Sequence, residues 1–185
     1  MARVVLVRPG ATDFDDQGRM KGCLDMPLSE AGRAQVERIA EELADLELDQ
    51  ILSAPCQSAV ETANRLAQGR AIKVKVVDCF RNVDHGLWHG KLIEEVRRNQ
   101  PKVYKQGQEA PANLCPPGGE TIEAAKARVH KAITKITRRC GGDVVALVIP
   151  DPLASIVQSI LEGEEMGDLW KSETDAAKWE MIQTV

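Results

Sequence analysis

The feature that most constrains the fold is a short apolar run that ends abruptly near the start of the chain. Residues 4–7 read Val-Val-Leu-Val, and Arg8-Pro9-Gly10 follows at once. The run is rich in β-branched residues and lacks polar alternation, which predicts a strand buried on both faces. Since proline and glycine interrupt the ladder, the chain turns at the carboxyl end of this strand. Ligands bind at that end of the strands in open α/β sheets, where Arg8 would either hold phosphate or carboxylate or simply pair with a nearby acid.

A second apolar run, residues 144–149, has the same character and is followed by Pro150-Asp151-Pro152. Strand-like stretches alternate with helical patterns along most of the chain. This predicts an α/β fold, a three-layer sandwich with a mostly parallel central sheet and helices on both faces. The two most apolar strands are expected to be central and adjacent. Their carboxyl ends then bring Arg8 beside Asp151, where the two charges neutralise each other.

The 185 residues predict a single domain spanning residues 1–185. Residues 80–117 mix helix-like stretches with glycine and proline, which indicates an insertion over the sheet edge. The polar, glycine-containing residues 13–27 predict a loop. Alternation over residues 72–79 predicts an edge strand, and residues 178–185 are expected to form a last strand.

Composition limits the classes of function. The net charge of −4 and the pI of about 5.5 argue against nucleic acid as the main partner, since phosphate-backbone binding needs a basic face. The apolar runs are too short to span a membrane, so we predict a cytoplasmic protein with no membrane partner. The five cysteines are widely spaced and form no CxxC pair, which is typical of reduced thiols rather than a zinc site. We therefore expect no metal and no other cofactor.

Five spaced motifs follow one another over nearly the whole chain. They are Val-Val-Leu-Val-Arg-x-Gly-Ala-Thr at 4–12, Gly-x-x-Asp-x-Pro-Leu-Ser-Glu-x-Gly at 22–32, Ser-x-Pro-x-Gln-x-Ala-x-Glu-Thr-Ala at 53–63, the tryptophan element at 84–90, and Pro-Gly-Gly-Glu-Thr at 117–121. In this order they resemble the histidine phosphatase superfamily, the phosphoglycerate-mutase-like enzymes. The resemblance implies the same α/β fold. It also implies, for typical members, phosphoryl transfer through a histidine in an Arg-His-Gly turn.

The resemblance also locates the positions of the family's chemistry, and there this sequence differs. The nucleophilic histidine corresponds to Pro9, which has no nucleophilic atom. The second histidine corresponds to Asp151 and the second phosphate-binding arginine to Ser58. The general acid corresponds to Asn82, whose amide does not donate a proton as an acid. We therefore expect no catalytic residues, with Pro9, Asn82 and Asp151 as degenerate positions.

The remnants of a phosphate pocket are Arg8, Gly10, Thr12, Asp15, Ser58 and Asp151. Losing two or three charge-assisted hydrogen bonds, each worth roughly 1.5–3 kcal/mol, weakens phosphate binding by several powers of ten. The sequence thus predicts an inactive pseudophosphatase with a binding or regulatory role. It would bind a partner protein or a small anionic ligand, or serve as the inactive subunit of a complex with a catalytic homologue.

An alternative is an active phosphomonoester hydrolase with altered chemistry. Asp151 could form an aspartyl-phosphate, and His85 and His89, four residues apart, could hold a metal or act as acid and base. Cys56, close to Ser58, could be a nucleophile that lacks a base. The simpler interpretation is that the histidines are packed or surface residues and that Cys56 is a small buried thiol.

Overall fold

The computed structural model describes residues 2–184, and within that range five strands form one sheet in the order β3-β2-β4-β1-β5. The strands are β1 (Arg3–Val7), β2 (Gln50–Ser53), β3 (Val74–Val76), β4 (Val144–Val148) and β5 (Trp179–Gln183). Strands β1 to β4 are mutually parallel, and β5 pairs antiparallel with β1. The predicted α/β class with a mostly parallel sheet is confirmed.

Helices connect the strands and cover both faces of the sheet. In chain order they are α1 (Asp13–Asp16), α2 (Glu30–Glu42), α3 (Gln57–Ala67), α4 (Ile93–Asn99), α5 (Pro101–Glu109), α6 (Ile122–Arg139), α7 (Leu153–Glu162) and α8 (Leu169–Glu173). Short 3-10 turns lie at 78–80, 86–88 and 111–113. None of the helices in residues 2–184 is long and apolar enough to cross a membrane.

The two strands predicted to be central are adjacent and lie in the core. Strand β1 pairs with β4 in register, with Val4 opposite Val145 and Val7 opposite Val148. Every residue of β4 is buried, as are residues 4–7 of β1. Side chains on both faces of a strand are buried only when helices cover both faces, which is why these runs lack polar alternation. The parallel pairing brings the two carboxyl ends together, as the sequence predicts.

Three predicted segments differ in detail from the structure. The polar stretch 13–27 contains the short helix α1, because Thr12 and Asp15 form a reciprocal capping box that stabilises its first turn. The strand predicted over 72–79 is limited to β3, since the chain enters a 3-10 turn at Asp78. The last strand is β5, and Val185 lies outside the described residues.

Residues 80–117 cover the loop that follows the first turn. Met20 donates a backbone hydrogen bond to Lys91 (2.9 Å) and accepts one from Gly90 (2.8 Å). Further along this segment, Tyr104 of α5 stacks on Trp170 of α8 with ring centroids 5.2 Å apart. The segment is therefore packed on the rest of the domain, and its origin as an insertion stays a prediction.

Candidate ligand site at the carboxyl ends of the central strands

Arg8 follows the end of β1, and each of the three nitrogens of its guanidinium donates a hydrogen bond to another side chain. Its Nε donates to Asp151 Oδ2 at 2.5 Å, Nη1 to Glu180 Oε1 at 2.7 Å, and Nη2 to Gln158 Oε1 at 3.0 Å. The residue is only 6% exposed. Burial alone would lower the pKa of Arg8, but the carboxylates of Asp151 and Glu180 outweigh it and raise the pKa. Arg8 is thus a permanent cation already neutralised by protein carboxylates.

Asp151 is equally engaged from the other strand. It follows β4 and is 1% exposed. While Oδ2 faces Arg8, Oδ1 accepts hydrogen bonds from the backbone N of Ser155 at 2.9 Å and from its hydroxyl at 2.7 Å. Both carboxylate oxygens are therefore held by the protein, and the predicted meeting of Arg8 with Asp151 is observed.

The turn between Arg8 and helix α1 is held by packing. The Pro9 carbonyl accepts a hydrogen bond from the backbone N of Ala177 at 2.7 Å. A Cβ on Gly10 would lie 2.5 Å from the carbonyl oxygen of Gly32, so only glycine lets the turn approach α2 this closely. Gly10 also donates from its backbone N to Thr62 Oγ1 at 3.3 Å. The turn keeps its architecture with proline at the position where the resemblance places a histidine.

Thr12 and Asp15 serve the helix cap rather than Arg8. Asp15 Oδ2 accepts from the backbone N of Thr12 at 2.7 Å and from its hydroxyl at 2.9 Å. Asp15 Oδ1 pairs with Lys21 Nζ at 2.5 Å, and both side chains of this pair are buried. Lys21 belongs to no motif of the sequence, and its pairing with Asp15 removes a second cation from the space around the turn.

Ser58 lies at the start of α3, where its small side chain is buried. Its hydroxyl is 3.6 Å from the Cys56 sulfur, and its backbone N donates to Met26 O at 3.2 Å. Burial raises the pKa of the Cys56 thiol, so the sulfur stays protonated. The geometry favours the simpler interpretation of Cys56 as a packed thiol.

Asn82 crosslinks two loops. Its Nδ2 donates to the carbonyl oxygens of Asp151 at 2.8 Å and of Gly22 at 3.0 Å. Its Oδ1 accepts from the backbone N of Val83 at 2.9 Å and of Leu153 at 3.2 Å. A glutamate has no amide hydrogens and could not make the first two bonds. Asn82, at the position where the resemblance implies the acid, therefore holds the two loops together.

His85 and His89 have different environments. His85 is buried, and its Nε2 contacts Oε1 of Glu173, which is also buried. Burial alone would lower the pKa of His85, but the Glu173 carboxylate outweighs it and raises the pKa. His89 is partly exposed, and its Nε2 accepts long hydrogen bonds of 3.3 Å from the backbone N of Cys23 and of His85. The two imidazoles, with ring centroids 6.1 Å apart, therefore have different partners and different burial.

Cys23, exposed in the loop after Lys21, lies against His89. Burial, and then the nearby Asp84 carboxylate, raise the pKa of the Cys23 thiol. This disfavours a thiolate nucleophile at this position in the absence of a cation. Within residues 2–184, the group of side chains that could hold a metal ion is Cys23, Asp84 and His89.

Several side chains of the site escape detection from the sequence. Glu180 and Gln158 reach Arg8 from β5 and α7, and Glu173 reaches His85 from α8. All three lie far along the chain from their partners, in segments without a motif. Ser155 is the exception, because a helical residue four positions after Asp151 is a natural partner for it.

Comparison with known proteins identifies the relatives of this fold. The sequence matches the family model of the histidine phosphatase superfamily (branch 1) over residues 4–184. It is 29% identical over 182 residues to Phosphoserine phosphatase 1 of Hydrogenobacter thermophilus, covering 98% of this chain and 86% of that protein. It is 31% identical over 134 residues to Glucosyl-3-phosphoglycerate phosphatase of Mycobacterium tuberculosis, covering 72% of this chain and 60% of that protein.

Solved structures agree with these matches. A mycobacterial glucosyl-3-phosphoglycerate phosphatase in complex with VO3 superimposes with a TM-score of 0.85 at 25% identity, covering 98% of this chain and 92% of that one. YhfR of Bacillus stearothermophilus also has a TM-score of 0.85, at 26% identity, covering 99% of this chain and 91% of that one. The match to the family model spans nearly the whole chain, and the fold agrees with it. The chain belongs to the histidine phosphatase superfamily.

Proposed function

We propose that this chain is a pseudophosphatase, a member of the superfamily that acts by binding and does not transfer phosphoryl groups through a phosphohistidine. The observation that carries the proposal is the state of Arg8, whose guanidinium is bound by Asp151, Glu180 and Gln158. A phosphate would have to displace two carboxylates from this cation. Pro9 occupies the position where the resemblance implies the nucleophile, and its side chain has no atom that could form a covalent bond to phosphorus.

Charge in this region opposes a dianion. Around Arg8 the protein supplies the carboxylates of Asp151 and Glu180, so the local charge is negative before a ligand arrives. The other nearby turn carries Asp15 with Lys21, which cancel each other. Each charge-assisted hydrogen bond that a phosphate fails to make costs roughly 1.5–3 kcal/mol. Phosphate affinity should therefore be lower by several powers of ten than in a pocket with free arginines.

The alternative, a phosphomonoesterase with altered chemistry, has less support. Asp151 is 1% exposed and both of its oxygens accept hydrogen bonds, so it is poorly placed to attack phosphorus. His85 is buried against Glu173, which leaves its Nε2 engaged. The named relatives are phosphatases, so any activity of this chain is expected to be of that class.

The open space next to Arg8 favours a protein over a small anion as partner. A cavity of about 370 Å³ adjoins Arg8. Its charged lining residues are Arg8, Lys171, Glu162, Glu164, Glu165, Asp168 and Asp175. This excess of acidic groups repels small anions and suits basic side chains of a partner protein. A cytoplasmic location remains part of the proposal, supported by the widely spaced cysteines.

Trapping of a phosphoenzyme tests the proposal. Wild-type protein is incubated with a radiolabelled phosphoryl donor, quenched and assayed for bound label, with Phosphoserine phosphatase 1 of Hydrogenobacter thermophilus run in parallel. We expect no label on this chain. Stoichiometric label that is lost in acid and stable in base would show a phosphohistidine and overturn the proposal. Base-labile label that disappears in Asp151→Ala would establish the aspartyl-phosphate alternative instead.

A further inference from the structure

We propose that Cys23, Asp84 and His89 form a binding site for a divalent cation of the Zn²⁺ type, with three protein ligands and one open coordination position. The site lies beside the degenerate phosphate region, and it does not depend on the function proposed above. This proposal differs from the sequence-based expectation that the protein binds no metal. Cys23 is far along the chain from the other two residues, so their spacing shows no ligand motif.

The distances between the donor atoms fit such an ion. The Cys23 sulfur is 3.5 Å from His89 Nε2, and one potential ligand atom from each of the three residues lies within 4.8 Å of the others. Bonds of about 2.3 Å to sulfur and about 2.0–2.1 Å to nitrogen place two tetrahedral ligand atoms roughly 3.5 Å apart. Asp84 approaches from the other side of the imidazole, with Oδ1 4.0 Å from His89 Nδ1. A rotation of this half-exposed side chain toward Nε2, with loss of the 2.9 Å hydrogen bond that Oδ1 accepts from the backbone N of Gly86, would complete the set.

The surrounding backbone holds the site in place. Gly22 has a φ of +47°, and a Cβ on it would lie 2.4 Å from His89 Nε2, so only glycine allows this loop to pack against the imidazole. The Gly22 carbonyl is fixed by Asn82 at 3.0 Å. His89 Nε2 faces the backbone N of Cys23 and of His85, each at a long distance of 3.3 Å. An ion bound by Nε2 would replace these two weak hydrogen bonds.

The donor chemistry selects the class of cation. A thiolate and an imidazole favour Zn²⁺ over Mg²⁺ or Ca²⁺, which prefer oxygen ligands. The thiolate and the Asp84 carboxylate together offset the charge of a divalent ion. Cys23 is exposed, and the side chains of Asp84 and His89 are 47% and 17% exposed, so the ion can enter from solvent. Three protein ligands leave a position for water or for a further ligand.

Metal binding to the full chain tests this site directly. The protein is stripped with a chelator and titrated with Co²⁺, whose tetrahedral thiolate complexes absorb in the near ultraviolet and in the visible. Zn²⁺ affinity is then measured by competition with a chromophoric chelator. We expect one equivalent of Co²⁺ with a thiolate charge-transfer band, displaced by Zn²⁺.

Variants assign the ligands. Cys23→Ser should abolish the charge-transfer band. His89→Gln and Asp84→Asn should each weaken Zn²⁺ binding by roughly tenfold or more, because loss of a residue that only hydrogen-bonds to a metal ligand already weakens binding by that factor. Cys115→Ser, which removes another exposed cysteine, is the matched control and should leave the band unchanged. Circular dichroism of each variant shows whether it is folded. No band in the wild type, or a band that survives Cys23→Ser, overturns the proposal.

Discussion

Arg8 Nε and Asp151 Oδ2 meet at 2.5 Å and join the carboxyl ends of the two central strands. Both residues are buried, and the opposite charge of each is the main interaction that offsets the free-energy cost of removing the other from water. The pair occupies the place where an α/β fold of this kind normally holds a ligand. An intramolecular ion pair therefore stands where the resemblance would place a bound phosphate.

Removing Arg8 should destabilise the protein much more than removing an exposed arginine. Arg8→Met leaves Asp151 buried without its cation, which costs about 3–5 kcal/mol. Asp151→Asn should cost less, because Arg8 keeps Glu180 and Gln158. Denaturant unfolding measures both.

Arg65→Met is the matched control, since its pair with Glu37 lies at the surface. Such exposed pairs contribute about 0–1 kcal/mol. Equal losses for Arg8→Met and Arg65→Met would show that the buried pair does not stabilise the fold.

Asn82→Asp tests the crosslink between the two loops. The substitution keeps the shape but removes the donors to the carbonyls of Gly22 and Asp151, and it places a charge against them. Leaving buried polar groups unpaired costs about 1–3 kcal/mol, so the midpoint of thermal unfolding should fall. Asn64→Asp, at an exposed position of α3, should leave the midpoint nearly unchanged. The crosslink is refuted if the two variants unfold at the same temperature.

Much of the fold is predictable from the sequence because the strongest signals are local. The runs of β1 and β4 consist of apolar residues without polar alternation, and this composition predicts that both faces are buried. The turn that follows each strand then places Arg8 and Asp151 at the same edge of the sheet, where they meet. Helix α1 escapes prediction because a single capping box stabilises it within a polar stretch. The edge strand that contains β3 is predicted, but its bounds are not, because tertiary contacts rather than alternation decide where a strand ends.

The rest of the site depends on contacts between distant segments. Glu180 reaches Arg8 from the antiparallel edge strand, and Glu173 reaches His85 from a five-residue helix. Neither segment carries a motif, and a carboxylate partner can come from any acidic residue that the fold brings near. The cluster of Cys23 with His89 depends likewise on how two loops pack.

The buried pair of His85 with Glu173 should make stability depend on pH. Burial alone would lower the pKa of His85, but the carboxylates of Glu173, Asp84 and Glu120 outweigh it and raise the pKa in the folded state. The stabilisation is therefore fully present below the unfolded value of about 6.5 and is lost as pH rises through the folded pKa. Thermal unfolding measured at increasing pH from about pH 6 upward should show this fall in stability.

Two variants separate this effect from other titrations. Glu173→Gln should flatten the pH dependence over that range, because it removes the carboxylate that raises the pKa of His85. His130→Gln, at an exposed position of α6, should leave the wild-type pH profile unchanged. A Glu173→Gln profile that matches the wild type would contradict the assignment.

Restoring both histidines of the family pattern should not create a phosphatase. In Pro9→His, Asp151→His the guanidinium of Arg8 still faces Glu180 and Gln158. Ser58 and Asn82 still occupy the positions where the resemblance implies an arginine and an acid. Hydrolysis of p-nitrophenyl phosphate by the folded double variant should therefore stay at background. Turnover by this variant would show that the two histidines are sufficient and that the charge around Arg8 does not block phosphate.

The most direct test of the account is the steady-state hydrolysis of p-nitrophenyl phosphate and a panel of phosphorylated metabolites by the wild-type protein. Phosphoserine phosphatase 1 of Hydrogenobacter thermophilus serves as the active relative in the same assay. The account predicts no release of phosphate above that of a buffer blank, while the relative turns over its substrate. Release of phosphate by the wild type that disappears in Asp151→Ala or His85→Ala would contradict it and identify an active enzyme with altered chemistry.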